Sequence, residues 1–259
     1  TYRGTTGQVL LMGAGVSLYA GFSGNETERA ERNWVSNACI IDGQNGLRCV
    51  ECSGGGTLDG FIMTRGYSSY GGGMYCHGSP TISNCMFKQN TAQTGGGLYN
   101  YGVFQLMNCV FLQNTASAKD SNYRGGGAIY NSPNSSTPAP VVAHCTFSAN
   151  TAFCGGAIYH SRGNLTVANS VLWGDTASSS VEIYNSDSTS AAAVSCSCIQ
   201  GGYTGTGNIS VDPLFLDAHG GSVQLADVSP CLNRCNAVTG ISTDFLGRAR
   251  VQGVAPDMG

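Results

Sequence analysis

The chain has 259 residues, only 10% of them charged, with a formal net charge of −3 at pH 7. Without a basic run to collect phosphates, and without the charge density of a polyelectrolyte, nucleic-acid binding and whole-chain disorder are both excluded. The longest apolar runs fall far short of the roughly 20 residues that a membrane-spanning helix needs.

Taken in order, the chain opens on TYRGTTG without an initiator Met. That start suggests an upstream segment removed or not included, so the missing signal peptide says nothing of compartment. Residues 1–66 are expected to form N-terminal coils interrupted by an excursion at 23–37. There NETERAERNW reads as a short solvated helix capped near Asn25, with Trp34 anchoring the excursion to the body.

From residue 67 to 200 the chain repeats itself. GGGMY (71–75), GGGLY (95–99), GGAIY (126–130) and GGAIY (155–159) are followed by a fainter VEIY (181–184). The tyrosines Tyr75, Tyr99, Tyr130, Tyr159 and Tyr184 lie 24, 31, 29 and 25 residues apart. A second motif recurs as ISNCMFKQNTA, LMNCVFLQNTA, VAHCTFSANTA and VANSVLWGDTA. It aligns Cys85, Cys109 and Cys145, then Phe87, Phe111 and Phe147, then Asn90, Asn114 and Asn150.

Each unit is a set of short apolar runs broken by Gly or Asn, too short for a helix and unable to bury its own apolar side. Stacked on copies of itself, about 4.8 Å apart, it can. The pattern therefore predicts an all-β, single-stranded right-handed parallel β-helix, a solenoid with coils of about 24 residues. A propeller blade would need about 40 residues per repeat. Cys85, Cys109 and Cys145 and the phenylalanines are expected to be interior rungs, the cysteines as thiols. Asn90, Asn114 and Asn150 are expected at bends, where Asn tolerates left-handed backbone angles and its amide bonds to the next Asn.

The GGAI and FxxN motifs resemble the repeat of polymorphic outer-membrane proteins and related pectate-lyase-like bacterial surface proteins. Residues 201–259 resemble the closing segment called the choice-of-anchor Q domain: Asp212 to Phe215, Ser229 and Pro230, Thr243 and Asp244, and Asp257 to Gly259 match its pattern. Cys231 and Cys235 around LNR depart from it. The opening TYRG and GVSLYAGFSGNETERAERNW also look like the start of such proteins, so the resemblance touches nearly the whole chain, read as one domain over 1–259. It implies a secreted or cell-surface bacterial protein and is specific for architecture, since this fold hosts lyases, hydrolases, adhesins and stalks.

For function, the expectation is a structural or adhesive rod that displays loops or packs with its own copies. The alternative is a polysaccharide lyase or hydrolase. Only in that alternative is calcium expected; otherwise no cofactor is implied. The acidic residues of the regular coils are scattered, apart from the rough neighbourhood of Asp175 and Glu182, so no clear carboxylate pair emerges. The catalytic candidates are Arg124, His160, Arg162 and His77, with the histidines expected at turns and outward or hydrogen-bonded. A binding edge is expected on the insert SAKDSNYR, through Lys119, Asp120, Tyr123 and Arg124, and beside it on the loop SPNSSTPAP, because loops extruded from regular coils carry recognition. Expected partners are a second copy or a surface glycan. Cys49 with Cys52, and Cys196 with Cys198, lack companions at zinc spacing, so no metal site is assigned. Cys231 and Cys235 form the candidate local disulfide.

Overall fold

The computed structural model describes residues 7–118, 125–134, 138–217, 221–235, 241–251 and 253–259. Its body is a stack of coils, each passing through four faces. In one full turn the chain forms Thr91–Thr94, Leu98–Asn100, Gln105–Met107 and Val110–Leu112. We call these the threonine, tyrosine, valine and phenylalanine faces. All four strands pair in parallel with their counterparts one coil away. The threonine face has five strands and the others seven.

The register is the one in which like stacks on like. Tyr75, Tyr99, Tyr130, Tyr159 and Tyr184 are direct partners, and so are Phe87, Phe111 and Phe147. Alternation along each three-residue strand decides what is buried. Leu106 is fully buried while its neighbours Gln105 and Met107 are half-buried. The core is thus a set of columns: Met74, Leu98, Ile129 and Ile158 from one side, Ile82, Leu106, Val142 and Val167 from another, and the phenylalanines from a third. The Phe rings stack at 4.5 and 5.0 Å between centroids, tilted by 5° and 7°, a contact that adds about 0.5–1.5 kcal/mol per pair beyond area burial.

Corners explain the glycines. Gly95 has φ +64°, and a Cβ on Gly96 would lie 2.5 Å from the Gly127 and Thr115 carbonyl oxygens. The bend between the phenylalanine and threonine faces corrects the sequence expectation. The left-handed residue there is the one before each asparagine, Gln89, Gln113 or Ala149, with φ of 56°, 57° and 56°. Asn90, Asn114 and Asn150 instead turn inward and are fully buried. Asn114 and Asn150 each accept from the Asn one coil below, Asn90 accepts the Gly66 main-chain N–H at 2.8 Å, and all three donate to a backbone carbonyl.

The N-terminal excursion leaves at Gly21 and returns at Asn33, whose N–H donates to the Gly21 carbonyl at 2.7 Å. It holds a 3-10 turn, Arg29–Glu31, capped by Glu28 rather than near Asn25. After Ile199 the chain leaves the stack. A short antiparallel pair, Phe215–Asp217 with Ser222–Leu225, leads into a segment that lies back along the phenylalanine face. Trp34 reaches this segment, its indole N–H donating to the Phe245 carbonyl at 2.9 Å.

Candidate functional site

Three features of the structure bear on function: a cleft under the C-terminal segment, an outward tyrosine row, and polar columns at the corners. The cleft, about 550 Å³, has the outward residues Met86, Val110 and Thr146 of the phenylalanine face as its floor. Asp227, Asp244 and Arg248 bring charge to its walls. Asp244 accepts the Arg248 main-chain N–H at 2.8 Å, and Asp257 accepts that of Asn233 at 2.7 Å. Both carboxylates therefore shape the loops that form the cleft.

Arg250 is 4% exposed and fastens this segment to the solenoid. Its guanidinium donates to the Gly259 carbonyl and to the Asn108 side-chain oxygen. From there a directed chain runs down the corner between the valine and phenylalanine faces. Asn108 donates to Asn84 at 2.7 Å, Asn84 donates to Asp59 at 2.9 Å, and Asp59 pairs with Arg32 at 2.8 Å. A cation at each end and a carboxylate within let every amide dipole point the same way, so that no buried polar group in the chain opposes its neighbour. His144 continues the same corner column and receives the Asn169 amide at 3.0 Å. Burial first, and then the Arg250 charge, hold its pKa down to about 3.

The tyrosine row lies on a face separated from the cleft by one face on either side. Tyr99, Tyr130 and Tyr159 stack at 4.6 and 5.2 Å, and Tyr75 and Tyr184 extend the row at 5.3 and 5.0 Å. Arg48 sits over the Tyr75 ring at 4.8 Å. Exposed His77 lies edge-on to Tyr75 at 4.5 Å and parallel to Tyr101 at 6.1 Å. This arrangement makes His77 part of the aromatic surface.

The candidates read from sequence that fall among the described residues, His77, His160 and Arg162, do not converge on one site. Lys119, Asp120, Tyr123 and Arg124 lie outside the described residues. The described residues on either side of them are Ala118 and Gly125. Arg162 is exposed. His160 corrects the expectation of an outward turn residue, since it is 0% exposed. It belongs to an inward column in which Asn100 donates to Asn131 at 2.8 Å and Asn131 meets His160 Nδ1 at 3.1 Å, with Asn185 as the partner of His160 in the next coil. With Nε2 2.9 Å from the Gly163 carbonyl, the ring fits as a neutral imidazole that accepts at Nδ1 and donates at Nε2. Burial lowers its pKa, and the ring has no exposed surface. Nor is the expected local disulfide present, because Cys231 and Cys235 are free thiols. Cys231 faces Cys198 of the last coil, and Cys235 Sγ donates to the Cys196 carbonyl at 3.4 Å.

Sequence reasoning missed Arg250, although the run TDFLGRAR carries it at a fixed distance from Asp244. It also missed the inward side of the His160 column, which the alternation from Ile158 through Tyr159 would have placed.

Among known proteins, residues 108–132 match the Chlamydia polymorphic membrane protein (Chlamydia_PMP) repeat. The matched stretch runs from the corner Asn108 through FLQN and GGAIY to Ser132, which is one coil-to-coil passage of the solenoid. No curated protein and no solved structure matches the chain.

Proposed function

We propose that the chain is an exported bacterial solenoid that stands at a cell surface and presents recognition loops, in an adhesive or structural role. The observation that carries this reading is the union of a membrane-protein repeat at 108–132 with an insert at its centre. The repeat continues in register on either side of that insert, so the rod is built to tolerate it. The chemistry of Lys119, Asp120, Tyr123 and Arg124, two cations with an acid and a phenol, suits an anionic or hydroxyl-rich surface glycan. Replacing residues 119–124 by a Gly-Ser linker of equal length tests this. Adherence of protein-coated beads to host cells should fall at least tenfold with the melting temperature unchanged. Undiminished adherence would remove the insert from the binding role.

Self-association is a second part of the proposal. The last strand of the tyrosine face, Ile183–Asn185, pairs on one side only within the described residues, and an open strand edge recruits another strand. Sedimentation over a hundredfold concentration range should show growing oligomers; a constant monomer would overturn this part.

The cleft favours one alternative, a polysaccharide-active enzyme of the pectate-lyase-like kind, although among the described residues no group of three or more His, Cys, Asp or Glu is gathered to hold the calcium such an enzyme would use. Turnover of a uronic-acid polymer that Arg248→Ala abolishes would establish it. Equal product from wild type and variant would reject this site.

A further inference from the structure

The inward asparagine column ends on an acid. Asn90 Nδ2 donates to the Asn114 side-chain oxygen at 2.9 Å and to the Met63 carbonyl at 3.0 Å. Asn114 Nδ2 donates to Asn150 at 2.9 Å and to Phe87 at 2.8 Å. Asn150 Nδ2 donates to Asp175 Oδ1 at 2.8 Å and to Phe111 at 3.0 Å. At the next rung the donor disappears. Asp175 Oδ1 also accepts the Asn150 main-chain N–H at 2.6 Å, while Oδ2 takes the place of an amide nitrogen. By register, the carbonyl that this position should donate to is that of Phe147. An ionised carboxylate there would set oxygen against oxygen, whereas a protonated one would donate as asparagine does.

Beyond Asp175 comes a second carboxyl. Glu182 stands in the column of Gly73, Gly97, Ala128 and Ala157, the small residues that make room for the ladder amides; a Cβ on Gly97 would lie 3.3 Å from Asn114 Cγ. Where the four preceding rungs carry no more than a methyl, Glu182 puts its carboxyl against that of Asp175. Asp175 is 5% and Glu182 4% exposed. Asp175 Oδ2 and both Glu182 carboxyl oxygens lack a conventional donor, and neither residue takes part in the three salt bridges of the described residues. The Asp175 main-chain amide and the Cys198 thiol also act on Glu182, and Asn150, the neighbour from the coil below, is neutral. Two like charges on carboxyls that interact directly in a buried site cannot both persist.

We propose that Asp175 and Glu182 form a proton-held joint, in which a proton shared by the two carboxyls ties the coil of residues 176–200 to the asparagine ladder and its loss in alkaline solution loosens that coil. Burial raises both groups above the ordinary carboxylate range, with the mutual repulsion next for Glu182. The sign follows: the native state holds protons that the unfolded chain releases above its ordinary values of 3.8 and 4.5. The joint is complete in acid and weakens as pH rises. The proton is the only species the step requires, and it passes to solvent hydroxide.

Hydrogen exchange of the whole protein at pH 6.5 and pH 9.5, corrected for the intrinsic pH dependence of exchange, reads the joint directly. Protection over 176–200 should fall at least tenfold at the higher pH while 80–116 stays constant. In Asp175→Asn/Glu182→Gln, which keeps the shape and removes the charge, the difference should vanish. If the double variant fails to fold, the comparison of the two segments in wild type decides. A uniform loss, or none, overturns the proposal. So does restoration of protection at pH 9.5 by calcium chloride alone, which would make the pair a cation site.

Discussion

Removing one amide from the middle of the asparagine column is the sharpest perturbation of the solenoid. Asn114 makes four side-chain bonds: it accepts from Asn90 N and Nδ2 at 3.1 and 2.9 Å and donates to Phe87 and Asn150 at 2.8 and 2.9 Å. In Asn114→Ala, Asn90 Nδ2 keeps the Met63 carbonyl and Asn150 Oδ1 keeps the Asn114 main-chain N–H. The Asn90 main-chain N–H loses its acceptor in a fully buried corner. An orphaned buried donor costs about 1–3 kcal/mol and each further lost bond about 0.5–1.5 kcal/mol. With three further bonds lost, the expected destabilisation is about 5 kcal/mol. The control is the adjacent Gln113→Ala, which loses one exposed bond to Gln89 at 3.2 Å and should stay within about 0.5 kcal/mol of wild type. Urea denaturation followed by circular dichroism measures both. If the two variants differ by less than about 1 kcal/mol, the column is not what holds the corner and the reasoning fails.

Gly96→Ala should cost about 1–3 kcal/mol as an overpacked corner, because both carbonyl oxygens at 2.5 Å are backbone and cannot swing away; its urea midpoint should fall accordingly. His144 gives the protein an acid limit. Its pKa is about 3 folded against 6.5 unfolded, so below pH 6.5 the unfolded chain binds a proton that the native state refuses, and stability falls as pH drops towards 3. His144→Asn, which matches Asn84, Asn108 and Asn169 in the same column, should flatten that slope in melts recorded from pH 7 to 4. Arg250→Met should free the C-terminal segment from Asn108 and Gly259. Limited proteolysis should then cleave within 221–259 at least tenfold faster while the coils of 67–200 resist; unchanged cleavage would show that Trp34 and the main-chain bonds suffice.

Most of the architecture was legible because the repeat is carried by side chains that must stack. Tyr75 to Tyr184 are spaced unevenly, from 24 to 31 residues, yet they fall in one row. The extra residues enter at corners, where they leave the strand register untouched. What was not legible was the side of the pleat. With strands of three residues, a column such as Cys76, Asn100, Asn131 and His160 looks polar and hence outward, although Leu98 and Ile158 two positions earlier already commit it inward. The left-handed corner residue was hidden for another reason. Gln89, Gln113 and Ala149 carry no composition signal, while the asparagines beside them do. Arg250 and the Cys231–Cys198 contact depend on how the last segment folds back, a long-range event that no repeat encodes.

The account rests on surface display, and labelling of intact cells tests it most directly. Antibodies against the solenoid, applied to unpermeabilised bacteria that produce this protein, should label the cell surface, and brief trypsin treatment of those cells should abolish the signal. Labelling that appears only after permeabilisation would contradict it.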